Sequence, residues 1–256
     1  MLTKEIFDII EYVAPLELQA EYDNSGMQVG SLNESVSGIM LCLDVTAQVL
    51  RQAQERGCNL VISHHPLIFK PVRRLSDSDY VSSIATAAIK SGITVYSAHT
   101  NLDCAEGGLN DRLASLIGIK TYTGKRGDFY RGGAVTESCT VADFAAKVKG
   151  ALGAGSVSLV GKADKYIRSA AVASGAGGRD EDIFELLFAA GCDAIITSEL
   201  KHNLAVQCAE QGRCVIEVTH FDSEKHCVGL LKDILLKHGV DSVAAIEKSP
   251  YTTVIN

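Results

Sequence analysis

The sequence predicts an α/β fold, three-layered α/β/α, with duplicated lobes built on mainly parallel central sheets. Three observations carry this reading. Helical apolar periodicity alternates with short continuous apolar runs along almost all of the 256 residues. The alternation recurs in both halves, as a duplicated unit would produce. A content of 46% hydrophobic and 21% charged residues suits a chain that buries a large core.

In order, Ile6, Ile9, Ile10 and Val13 share one face of a helix over 3–13, with Thr3 at the N-cap. A strand at 38–43, a helix at 46–56 and a strand at 60–63 follow. Next come a helix near 79–91 and a strand at 93–97, and Leu109, Leu113, Leu116 and Ile117 mark a helix over 109–118. The stretch 124–132, rich in glycine and charge, reads as the crossing between lobes, so the first spans 1–126 and the second 127–256. Thr140 then caps a helix that turns Val141, Phe144, Val148 and Leu152 inward. Strands near 156–160, 167–173, 193–197 and 214–218 alternate with helices near 180–190, 201–211 and 222–238. Both lobes are expected to form one compact unit.

Charge and cysteine content narrow the function classes. Twenty-four Lys and Arg against 31 Asp and Glu give a net charge of −7, the wrong sign for a protein that lives on nucleic-acid phosphate contacts. No apolar run reaches the roughly 18 residues of a membrane span. Lys4, Glu5, Asp8 and Glu11 interrupt the N-terminal segment where a signal peptide needs an apolar stretch, so the expected location is cytoplasmic. The eight cysteines are scattered with no Cys-x-x-Cys, which reads as small buried hydrophobes rather than a disulfide framework or a zinc ribbon.

Chemistry concentrates at strand ends, where open α/β sheets bind ligands. His64 and His65 follow the run Leu60-Val-Ile-Ser63, with Pro66 fixing the exit. His99 and Asp103 follow the strand at 93–97, in SAHTNLD. His220 follows the strand at 214–218, and Glu224 stands four residues on, on the same helical face. In extended backbone two consecutive side chains point to opposite sides, so His64 and His65 are expected to serve different ions. The resulting metal set is His64, His65, Asp103, His220 and Glu224, all imidazole and carboxylate. That chemistry suits Zn, Mn, Fe, Co or Ni. Five ligands over two divalent ions leave open positions, as a reactive or exchangeable site requires. Two ions roughly 3.5–4 Å apart would activate a bridging water and stabilise an oxyanion.

Other segments carry weaker signals. SGAGGRD (174–180) could cradle a phosphate or make a plain tight turn, and it lacks the registers of the nucleotide-binding loops. YDNSGMQVG (22–30) reads as a polar loop. In TSELKH, Glu199 and His202 either line a pocket or cap the following helix. His202, His226 and His238 have solvent-facing or helix-terminal explanations, and no G-x-S-x-G elbow occurs.

YDNSGMQVG, LVISHHPLIF, SAHTNLD with GGLND, TSELKHN and THFDSE, in that order, resemble the GTP cyclohydrolase I type 2 homologue family, the NIF-three-like dinuclear metal proteins. The resemblance covers essentially the whole chain and matches the short form without an inserted domain. It implies a duplicated α/β/α architecture assembled as a toroidal homohexamer with sites facing an internal cavity. By motif position it implies that His64 and Asp103 hold one metal, His65 and His220 the other, and that Glu224 bridges both. His99 would be a nearby general acid/base or supporting polar group. Ser198 and Thr219 stand where glycine is usual in the family.

Two functions follow from this. The leading one is a metal-dependent hydrolase in which a metal-bridged hydroxide attacks a small-molecule substrate, with GTP the candidate and purine C8 the target. The alternative is a non-enzymatic metal-binding chaperone or regulatory scaffold, since open coordination positions also suit metal exchange.

Overall fold

The structure is a computed structural model and describes residues 1–252. The chain folds as two compact units, Met1–Ala105 with Cys227–Lys248, and Glu106–His226 with the segment from Ser249.

The first unit opens with α1 (Thr3–Val13). Its N-cap is Leu2, whose backbone N–H donates to Glu5 Oε2 at 2.7 Å. Thr3, the expected cap, is instead the first helical residue, and its buried hydroxyl donates to the Ser31 carbonyl at 2.6 Å. β1 (Gly26–Val29), β2 (Ile39–Cys42), α2 (Ala47–Glu55), β3 (Leu60–Ser63), α3 (Tyr80–Lys90), β4 (Thr94–Ser97) and the short α4 (Thr100–Cys104) follow. Thr46 and Asp79 cap α2 and α3 by accepting from the backbone of Val49 and Ser82.

β2, β3 and β4 are parallel and every one of their residues is buried, which is why they read as unbroken apolar runs rather than alternating ones. Successive residues of β4 serve opposite faces. Val95 packs with Val49, Leu50 and Ala53 of α2 and with Ile84, Ala85 and Ala88 of α3. Tyr96 turns the other way and stacks on Phe7 of α1 with ring centroids 4.4 Å apart. Helices therefore cover both faces of this sheet.

The second unit contains α5 (Leu109–Ile117), β5 (Ile119–Thr123), β6 (Arg131–Thr140), α6 (Val141–Leu152), β7 (Ser158–Val160), β8 (Tyr166–Val172), α7 (Glu181–Ala189), β9 (Ala194–Thr197), α8 (His202–Glu210), β10 (Cys214–Glu217) and α9 (His220–Glu224). Its strands run in the order β5-β6-β8-β9-β10-β7. β8, β9 and β10 are parallel, whereas β5–β6, β6–β8 and β10–β7 are antiparallel, so this sheet is mixed. The stretch 124–132, expected as the crossing between lobes, lies within this unit and joins β5 to β6. Gly133 is required in that hairpin, because a Cβ there would lie 1.8 Å from the Lys120 carbonyl oxygen. Phe184 and Leu187 of α7 and Leu204 and Cys208 of α8 pack on Ala171, Ile195 and Val215 of the sheet.

The helix expected over 222–238 is divided at Lys225 into α9 and α10 (His226–Lys237). From Cys227 the chain belongs to the first unit, where β11 (Val243–Ala244) adds in parallel to β2 and completes the order β1-β4-β3-β2-β11. No disulfide links the eight cysteines, and six of them are buried. Among the described residues no helix is long and apolar enough to cross a membrane.

Tyr96 is fully buried, and its hydroxyl donates to Glu11 Oε1 at 3.0 Å. Burial, with the Glu11 charge beside it, pushes the Tyr96 phenol well above its ordinary range. Tyr96→Phe leaves the Glu11 carboxylate without this donor and is expected to cost about 1–2 kcal/mol in urea unfolding. An unchanged midpoint would show that the bond carries no net stability.

Candidate metal centre

The first unit brings four candidate residues to the carboxyl ends of β3 and β4. His64 and His65 extend the ladder past β3, their N–H groups donating to the carbonyls of Cys42 and Leu43 at 3.1 and 3.0 Å. Ser97 Oγ donates to the His64 carbonyl at 2.6 Å and Ser63 Oγ to the His65 carbonyl at 2.7 Å, so the dipeptide is pinned from both sides. The two rings do not point to opposite sides as extended backbone would dictate. Their centroids lie 5.2 Å apart with planes tilted by 42°, because the strand ends at Ser63 and the chain turns toward Pro66. His99 joins them, 5.2 Å from the His64 ring and 5.5 Å from the His65 ring. One donor atom from each of His64, His65 and His99 lies within 4.8 Å of the other two.

Each of these rings is held at Nδ1 by an acceptor. His64 Nδ1 meets the Ala98 carbonyl at 2.8 Å, His65 Nδ1 meets Asp44 Oδ1 at 2.9 Å, and His99 Nδ1 meets Asp23 Oδ1 at 2.8 Å. A carbonyl or carboxylate oxygen only accepts, so Nδ1 carries the proton and Nε2 is left as the ligand atom. Burial works against charge on Asp23, but the hydrogen bonds from His99, from the Thr100 hydroxyl and from the Asn24 N–H outweigh it and hold the carboxyl well below its usual range. Asp44 is fixed in turn: Glu247 accepts from the N–H groups of Leu43 and Asp44 at 2.7 and 3.0 Å.

Asp103, on α4, puts Oδ1 3.6 Å from His64 Nε2. That is too long for a hydrogen bond and close to the roughly 3.4 Å between two ligands each about 2.1 Å from a tetrahedral ion. The donor chemistry and this spacing fit a divalent cation.

The second unit supplies His220 and Glu224. Thr219 caps α9 by accepting from the Asp222 N–H at 3.1 Å, which sets His220 at the start of the helix. One turn on, Glu224 Oε2 lies 2.7 Å from His220 Nε2. His220 Nδ1 meets Glu199 Oε1 at 2.9 Å, and Arg179 holds the other Glu199 oxygen at 2.7 Å. Glu199 has φ 55°, the single non-glycine residue at positive φ among the described residues, a conformation that stores strain at this position.

Glu224 is almost fully buried against the turn Gly175–Arg179. Gly175 has φ +57°, and a Cβ there would fall 1.9 Å from Glu224 Oε1. Ser198 Oγ donates to the Gly175 carbonyl at 2.6 Å and so braces this turn. SGAGGRD is thus a tight turn that makes room for a carboxylate. Of the TSELKH pair, Glu199 joins the site, while His202 begins α8 exposed to solvent. His226 Nε2 pairs with the Leu152 carbonyl at 3.2 Å, and His238 is exposed.

Sequence reasoning missed Asp44 and Asp23 as orienting groups. Asp44 was detectable as a carboxylate just past an apolar strand, and Asp23 lay inside the YDNSG segment read as a loop.

A family model described as Duf34/NIF3 (NGG1p interacting factor 3) matches residues 1–251. A Helicobacter pylori protein named GTP cyclohydrolase 1 type 2 is 34% identical over 247 residues, covering 96% of each chain. A Clostridium perfringens protein named GTP cyclohydrolase 1 type 2 homolog is 31% identical over 88% of this chain and 87% of its own. The crystal structure of Staphylococcus aureus protein SA1388 superposes with a TM-score of 0.89 over 99% of both chains at 24% identity, which is a likeness of fold.

Asp44→Ala and Glu199→Ala should each weaken binding of a divalent metal about 10–100-fold, read by competition with a chromophoric chelator. Gly175→Ala should do the same with an unchanged far-ultraviolet circular dichroism spectrum, because the added methyl evicts Glu224. Wild-type affinity in all three would mean that these groups do not orient a ligand.

Proposed function

The chain belongs to the Duf34/NIF3 family, and from this and the two half-sites above we propose that it is a metal-dependent hydrolase with a dinuclear centre and GTP as candidate substrate. The observation that carries the reading is the common tether: His64 and His65 are each bonded at Nδ1, which leaves Nε2 as the ligand atom, and a carboxylate holds the Nδ1 of His99 and of His220 in the same way. In this proposal His64 and Asp103 would hold one ion and His65 and His220 the other, with Glu224 a ligand to both. The relatives named GTP cyclohydrolase 1 type 2 support the choice of substrate.

When bound, the ions supply a water of lowered pKa and a positive field for charge that develops at the attacked atom. The protein's own groups do the rest. Burial and the Gly175 turn fix Glu224, so its oxygens need no reorganisation. His99 is the one histidine of the cluster outside the proposed ligand set, and Asp23 holds its Nδ1 proton. Its Nε2 is therefore available to take a proton from the attacking water and return it to the leaving nitrogen. For GTP, attack of one water at C8 with cleavage of one C8–N bond opens the imidazole ring of the purine to an N-formyl group, and hydrolysis of that formamide by a second water breaks the other C8–N bond and releases C8 as formate.

His65 and His220 retain 23% and 28% of their side-chain exposure, which favours the second reading, ligand exchange by a metal-handling protein. A homohexameric assembly and a cytoplasmic location complete the proposal, the former checked by light scattering on the eluting protein.

Metal-loaded wild type should release formate from GTP, and His65→Ala and Glu224→Ala should fall to background as their metal content drops by elemental analysis. Undiminished turnover by His65→Ala would overturn the mechanism. Two ions per chain with no formate would favour metal handling instead.

A further inference from the structure

Between Pro66 and α3 the chain runs through a loop that carries Lys70, Arg73 and Arg74, all exposed. The three line an open cavity of about 960 Å³ together with Phe69, Ser76 and Ser82. Among the described residues none of the three cations lies within ion-pair distance of a carboxylate. The one carboxylate on the cavity wall, Asp79, is engaged as the cap of α3, accepting from the Ser82 N–H at 2.8 Å. Three cations against one committed carboxylate is a local reversal in a chain of net charge −7.

This cavity shares a wall with the histidine cluster. Phe69 lines it, and the Phe69 ring stands nearly perpendicular to His99 with centroids 6.0 Å apart. Tyr22 packs against Phe69 at 6.3 Å, and both rings are exposed, at 69% and 42%. Guanidinium forks match phosphate oxygens in pairs, and exposed aromatic rings offer a surface to a planar heterocycle. The volume suits a ligand the size of a nucleotide.

We propose that Lys70, Arg73 and Arg74 form an anion subsite that holds the phosphate chain of the substrate while Phe69 and Tyr22 direct its ring toward His99. This deepens the hydrolase reading and rests on it only in treating the ligand as a substrate. The subsite itself is a property of the loop and does not depend on the ions.

The test is calorimetric titration of the full chain with GTP, guanosine and inorganic triphosphate. Wild type should bind GTP at least about tenfold more tightly than guanosine, and Arg73→Ala/Arg74→Ala should erase that gap with metal content and guanosine affinity unchanged. Arg73→Lys/Arg74→Lys should keep part of it, and Glu224→Ala, which weakens the metal centre, should keep all of it. Triphosphate that competes as well as GTP identifies free polyphosphate as a ligand of the same subsite; competition by GTP alone identifies the nucleotide. Failure of both to bind, a gap that survives the double alanine variant, or a gap lost in Glu224→Ala would each overturn the proposal. A preserved gap without formate release would leave the subsite standing and reject only the reaction.

Discussion

The candidate centre depends on a single recurring bond, the one from a histidine Nδ1 to an acceptor built into the scaffold. A neutral imidazole offers one lone pair, and which nitrogen carries it is undecided until something claims the other. Here the Ala98 carbonyl, Asp44, Asp23 and Glu199 claim it in turn. Ring orientation is thus fixed before any ligand arrives, and at His64, His65 and His99 so is the tautomer. The acceptors come from the loops after β2 and β4, from the segment before β1, and from the loop after β9. Within each unit, then, some strand ends deliver imidazoles and neighbouring segments the oxygens that aim them.

Around Glu224 the balance is different. A carboxylate that is 3% exposed is costly to bury, and the surroundings are correspondingly exacting. Gly175 is without a side chain at positive φ, Ser198 and Ser223 lie within 3.1 Å of each other beneath the turn, and Glu199 holds a conformation that few side chains adopt. None of these features improves packing. Together they hold one buried acid in a fixed place, where it could serve as a ligand to a cation.

Much of this was legible in the sequence. β2, β3, β4, β9 and β10 are apolar runs with punctuated ends, and the histidines right after three of them stand out for that reason. β1 was hidden because Met27 and Gln28 are both partly or fully exposed and leave no alternation to read. β6 was hidden because it begins Arg-Gly-Gly, with Arg131 buried through its bonds to Asp111 and to the Asp128 and Tyr130 carbonyls. The convergence of the His64 and His65 rings is not legible, because strand alternation ends with β3 at Ser63. Asp23 and Asp44 were passed over because an orienting carboxylate has no spacing relative to the ring it orients. Its partner lies 76 residues away in one case and 21 in the other.

Glu247 gives the fold a temporal order. It locks the backbone of Leu43 and Asp44, beside the edge that β11 adds to the first sheet, yet it is made just over two hundred residues after them. All of Glu106–His226 must be synthesised before that clamp can close. A nascent chain emerging from the ribosome thus exposes its adjacent histidines long before Asp44 is clamped. The acceptor that orients His65 is therefore fixed only after the whole of the second unit's main segment has been made.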